Sequence, residues 1–173
     1  MYLLEVTAAD VQIGATFMFF IVVAWLLAEF NGMKEAIRER LGINNETIKL
    51  KLQAYERLTL YAERAALKNL VSRTYAEEMT ARDMQLTLLD NLKSEYEYNV
   101  TQQIYVSAEM WKAITKLKDQ NIFVINQVAA ALPVNASSME LSKALLEYSM
   151  ADNADISKIV LEALQYEAQK SLK

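Results

Sequence analysis

The 173-residue chain contains no cysteine and no histidine, and it has only three glycines and one proline. Without cysteine there is no disulfide framework, and without either residue there is no zinc site of the usual ligand types. The same absences remove Cys–His and Ser–His nucleophile pairs. So few glycines and prolines leave little of the turn chemistry that strand-and-turn folds depend on. Abundant instead are Ala, Leu, Glu, Lys, Gln and Met, all good helix formers, within a chain that is 53% hydrophobic. The composition predicts an all-α protein.

Phosphate-binding loops, dinucleotide fingerprints, EF-hand spacings and nucleophile elbows are also missing from the sequence. Carboxylates cluster at Glu77-Glu78 and at Glu95-x-Glu97. Residues one or two apart do not share a helix face, so neither cluster makes an acid–base pair or a di-metal site. No residue is nominated as catalytic, cofactor-binding or metal-binding, and the chain is expected to be non-enzymatic and to carry no cofactor.

Basic residues are absent from positions 1–33, which carry Glu5, Asp10 and Glu29. Positions 34–73 hold nine basic side chains against five acidic, and 74–173 nine against fourteen. The bases of the middle stretch alternate with acids, as in Lys34-Glu35 and Arg38-Glu39-Arg40. That pattern reads as a solvated face beside an anionic leaflet rather than a nucleic-acid patch, and no nucleic-acid partner is expected.

The longest uncharged run is VQIGATFMFFIVVAWLLA, residues 11–28. At ~1.5 Å per residue it spans roughly 27 Å, close to the hydrocarbon thickness of a bilayer. Its large apolar residues cover the helix all round, where a soluble surface helix would keep a polar face. Trp25 and Phe30 lie near one end and Tyr2 before the other, as interfacial aromatics do. A cleaved signal peptide would need a basic n-region and a small-residue cut site; here the preceding flank is acidic and Ala28-Glu29-Phe30 is a poor cut site. A buried core helix is the other competing reading. Ala24 and Ala28, one turn apart, offer a small-residue seam for packing against a second span.

Lys34, Arg38 and Arg40 follow the run closely. The positive-inside rule then places the amino terminus outside and the rest of the chain in the cytoplasm of a bacterial inner membrane. Three N-x-[ST] triplets, at Asn45, Asn99 and Asn135, would matter only in a lumenal eukaryotic domain. The expected organisation is a short outer terminus (1–10), a transmembrane helix (11–30), a juxtamembrane segment (31–47) and a cytoplasmic domain (48–173) of about four to six helices. Within the juxtamembrane segment, Asn31-Gly32 reads as a joint, Gly42 as a helix-ending C′ residue, and Asn44-Asn45 as a turn and N-cap.

Downstream, Leu52, Tyr55, Leu58, Thr59, Ala62 and Ala66 form a helical face. Thr80 and Asp83 make a capping-box start for a helix whose stripe runs Met84, Leu88, Leu92, Tyr96, Asn99 and Gln103. Ser107 is the next N-cap, opening a helix with Trp111, Ile114, Leu117, Asn121, Val124 and Val128 on one face, stopped at Pro133. Ser137 and Glu140 form another capping box, leading a helix to about Met150. Asp152–Asp155 reads as a loop before a last helix marked by Ile156, Ile159, Val160, Ala163 and Leu164.

The most distinctive run spans Glu95 to Ser107. Asn99 and Gln103, at i and i+4 with Tyr96 a turn earlier, would share a face. Together with Gln102, Tyr105 and Trp111 they form a polar corner. It can serve as a ligand or partner site, or as a satisfied structural corner fixing a helix–loop–helix angle; the structural reading is favoured. Arg57 and Arg64 read as partners of acids along their own helix.

LQAYERLTLYAER (52–64), EYEYNVTQQIYVSAEMW (95–111) and LPVNASSMELSKALLE (132–147) together resemble an uncharacterised family of small membrane-anchored helical proteins from Bacteroidetes. The likeness implies a bacterial inner-membrane setting and no chemistry. Such proteins often carry a proline soon after the Glu-Arg pair, where this chain has Ala65-Ala66, so the sequence does not require a break there.

These readings converge on a membrane-tethered helical interaction or scaffold protein that docks onto a protein partner or self-associates as a homo-oligomer. An accessory subunit of a larger respiratory or transport complex is an alternative, and a ligand sensor using the Tyr96–Trp111 corner is another.

Overall fold

The computed structural model describes residues 8–150 and 156–172. Among them are six α-helices, one short 3-10 helix and no strand. The helices are α1 (Ala8–Ala65), α2 (Leu67–Thr74), α3 (Ala81–Asn99), α4 (Ala108–Ala130), α5 (Ser138–Met150) and α6 (Ser157–Lys170); the 3-10 helix is Val100–Ile104. The protein is all-helical, as its composition predicts. The expected 152–155 loop lies outside the described residues. Two compact units divide at Thr47 and Ile48.

The first unit, Met1–Thr47, contains the N-terminal part of α1. From Thr16 to Thr47 every residue is exposed except the half-buried Val23. Among the described residues, α1 is the one helix long and apolar enough to cross a membrane, with an 18-residue window of mean hydropathy 1.7, none of it buried.

The expected short helix with breaks at 31–32 and 42–45 is corrected: α1 runs unbroken for 58 residues. A C′ glycine must take the left-handed conformation, and neither Gly32 nor Gly42 does. An interior glycine costs only about 1 kcal/mol relative to alanine, which the surrounding helix formers offset. Neither Asn44 nor Asn45 starts a new helix, and Thr47 donates its hydroxyl back to the Ile43 carbonyl at 3.0 Å.

The second unit, Ile48–Lys173, is a helical bundle. In it α3 packs on α4 and α5, α2 on α5 and α3, and α4 on α5 and α6. The core takes Leu58, Met84, Leu88, Ile114, Leu117 and Leu141 from four of the helices, all without exposed surface. Ala54, Ala62 and Ala65 are buried on α1, where small side chains let neighbouring elements come close.

Local chemistry starts the helices where the sequence indicates. Thr80 accepts from the Asp83 amide at 3.1 Å, and the Asp83 carboxylate accepts from the Thr80 amide at 3.4 Å. Ser137 and Glu140 repeat the box before α5. Backbone contacts join these two starts, Ala81 N–H to Ala136 carbonyl at 2.9 Å and Ser138 N–H to Met79 carbonyl at 3.1 Å. Ser107 caps α4 by accepting from the Met110 amide.

The chain breaks between α1 and α2 without glycine or proline. Ala66 alone leaves the helical region, at φ −53° and ψ 128°, a conformation open to any residue. The last carbonyls of a helix lack intrahelical donors, and here three consecutive ones are met by side chains. Asn69 donates to the Glu63 carbonyl at 2.8 Å, Arg73 to Arg64 at 3.0 Å, and the buried Asn121 of α4 to Ala65 at 2.7 Å.

Candidate functional site

The best-built polar and aromatic constellation sits where α1, α3 and α4 meet. Tyr96 of α3 stacks on Trp111 of α4 with ring centroids 5.3 Å apart, and Tyr61 of α1 meets Tyr96 edge-on at 6.1 Å. The Lys118 ammonium lies 4.4 Å from the Tyr96 ring centre. The Tyr96 hydroxyl and the Thr115 hydroxyl share a hydrogen bond of 3.0 Å. Tyr61 is buried, and its hydroxyl has no hydrogen-bond partner.

Beside it lies a charged cluster. Glu95 accepts from Arg64 through Nε at 3.0 Å and Nη2 at 2.7 Å, and from Arg73 at 3.0 Å. Burial pushes the Glu95 carboxyl up, but the Arg64 hydrogen bonds and the Arg73 charge outweigh it and hold the group below the usual carboxylate range. Arg57 reaches the Tyr98 carbonyl at 3.4 Å and lies 4.9 Å from that ring's centre. The two arginines expected to pair along their own helix therefore reach α3 instead. A cleft of about 240 Å³ is lined by Arg57, Leu60, Tyr61, Arg64, Glu95 and Tyr98, with Asn99 at its edge.

The expected corner forms only in part. Tyr96 and Trp111 come together, both half-buried. Asn99 is buried but turns back to the Glu95 carbonyl at 2.8 Å, closing its own helix end. Gln102, not Gln103, is the buried amide, and it donates to Thr101 at 3.1 Å. The shared face of Asn99 and Gln103 is corrected, because α3 stops at Asn99 and Gln103 is exposed. The 3-10 helix that follows has three residues per turn, so the position below Asn99 is i+3 rather than i+4. Tyr105 ends that helix, half-buried.

A second brace was not legible beforehand. Glu167 of α6 accepts from Tyr55 of α1 at 3.0 Å and from the Ser107 hydroxyl. Because the Ser107 oxygen also caps α4, this Ser–Glu pair is an N-cap tied to α6 rather than an activated nucleophile. Its partners lie 60 and 112 residues away in sequence, and no local spacing links them. Tyr61, by contrast, follows Leu58 by one turn and lies within reach of the apolar stripe read from the sequence.

In the first unit, Ala24 and Ala28 are exposed on α1, as are Lys34, Arg38 and Arg40. Among the described residues no group of three or more Asp or Glu side chains is placed to hold a metal ion.

The chain matches a family of unknown function, DUF7935, over residues 1–171, and it belongs to that family. No curated protein and no solved structure matches it.

Proposed function

We propose that this is a membrane-tethered helical interaction protein of the bacterial inner membrane, in which the apolar part of α1 crosses the bilayer and the Ile48–Lys173 bundle serves as a cytoplasmic docking module. The observation that carries the reading is the exposure of the apolar run. Phe17, Phe19, Phe20, Ile21 and Trp25 are each more than 60% exposed, whereas a core helix of similar composition would be buried within its own chain. Such a surface has a large unfavourable hydration cost in water and none in hydrocarbon. Lys34, Arg38 and Arg40 favour the orientation with the amino terminus outside.

The bundle contributes bracing rather than chemistry in this reading. Its polar groups serve helix ends: the buried Asn121 closes α1, and the half-buried Glu167 holds the Ser107 cap of α4. The Tyr96 and Trp111 rings occupy each other's faces, which gives the ligand-sensor alternative less to stand on. The accessory-subunit alternative differs in the partner, and draws on Ala24 and Ala28 as a close-packing seam for a neighbouring span.

The native chain has no cysteine, so single introduced thiols report cleanly. In intact cells a membrane-impermeant maleimide should label Glu5→Cys, and should label Lys170→Cys only after lysis. The protein should stay with the membrane through alkaline carbonate washing. Recovery in the soluble fraction would overturn the anchor, and reversed labelling would overturn the orientation.

A further inference from the structure

We propose that the α1 surface from Phe30 to Asn44 is the docking face for a partner helix whose apolar ridge is flanked by carboxylates. This rests on the membrane-tether reading above and names the partner's chemistry.

Phe30, Met33, Ile37 and Leu41 recur at three- and four-residue spacing and so form one ridge along the helix. Each is between 51% and 56% exposed, with nothing from the described residues covering it. Asn44 continues the ridge one turn further. The charges around it are sorted: Lys34 and Arg38 run along one side, with the Lys34 ammonium 5.0 Å from the Phe30 ring centre, and Arg40 lies on the other. Glu35, Glu39 and Glu46 fall on the reverse of the helix. An apolar ridge with bases on both shoulders and acids behind matches an apolar ridge with acids on its shoulders.

Two other occupants fit less well. Lipid cannot cover the whole ridge, because α1 is unbroken and Leu41 lies eleven residues beyond Phe30, ~16 Å further along the axis at about 1.5 Å per residue. A second copy, anchored the same way up, would lie parallel. Glu29 of one copy would then meet Lys34 of the other, but Arg40, seven residues after Met33, would repeat its seam position and meet the other copy's Arg40, and like charges across such a seam are unfavourable.

The test is photo-crosslinking of the full chain in membranes of the cells that naturally make it. Ile37 or Leu41, and Glu39 on the reverse face as control, are replaced singly by benzoylphenylalanine. The expected result is an adduct with a different protein from positions 37 and 41 and not from 39. Its crosslinked peptide should read by mass spectrometry as an apolar heptad-like ridge flanked by Asp or Glu. Arg38→Glu with Arg40→Glu should reduce the adduct at least fivefold, while Glu35→Lys leaves it unchanged. An adduct of twice the chain's mass, one with lipid only, one indifferent to the charge reversal, or no adduct from a membrane-bound chain would each overturn the inference and leave the tether standing. A chain absent from the membrane fraction would overturn both.

Discussion

The side-chain amide of Asn121, buried in the middle of α4, donates to the carbonyl of Ala65 at 2.7 Å, across 56 residues of sequence. It closes the end of α1 from inside the core, where water cannot substitute. Asn121→Leu keeps the volume and leaves the carbonyl unpaired, a loss of about 1–3 kcal/mol. Thermal unfolding of the full chain in detergent, followed by circular dichroism, should show the fall. An unchanged midpoint would mean that Asn69 and Arg73 suffice to hold the break.

Glu95 predicts a pH dependence. Its folded carboxyl sits below its unfolded value because two arginines hold the charged form. The stability it contributes is fully present above about pH 4.3, the ordinary glutamate value, and is lost as pH falls through the depressed folded value. Glu95→Gln should cost about 1–2 kcal/mol at pH 7. It should also flatten the acid limb of stability between pH 5 and the depressed value. A variant that follows the wild-type acid limb would refute the assignment.

Tyr61 predicts the opposite sign. A buried hydroxyl without a partner carries its desolvation cost uncompensated. Tyr61→Phe should leave stability unchanged or raise it by up to about 1 kcal/mol, with the edge contact to Tyr96 retained. Tyr55→Phe removes a hydroxyl that does have a partner, Glu167, and should be destabilising in the same assay.

The all-helical class was legible in the composition, and the helix starts at Thr80, Ser107 and Ser137 because each rests on a neighbour three residues away. Two kinds of feature were not. Breaks expected at Gly32 and Gly42 did not occur, since glycine permits a break without requiring one. The break at Ala66 did occur with no glycine or proline to mark it, and the third of its closing donors comes from α4. The corner was half legible for the same reason: Tyr96 and Trp111 follow the helical stripe, but the switch to three residues per turn after Asn99 moved burial from Gln103 to Gln102.

Gly42 turns that comparison into a measurement. An alanine Cβ there meets nothing within 4 Å, so Gly42→Ala should strengthen α1 by about 0.5–1 kcal/mol. Hydrogen exchange of the amides near 42–47 should slow by about two- to fivefold, following that free energy. Faster exchange would show that the glycine ends the helix after all.

The closure of α1 by a residue so far downstream has a consequence for synthesis. Asn69 and Arg73 leave the ribosome soon after Ala65, but Asn121 follows it by 56 residues. At about 5–20 residues per second that is a delay of roughly 3–11 s. Until then the Ala65 carbonyl has only solvent to meet, and only Asn69 and Arg73 favour the break at Ala66 over a helix continuing into α2. The nascent chain is then free to emerge as one straight helix and to fold back at Ala66 when α4 arrives, which makes that corner a late event in a protein whose other helix starts are set as they are made.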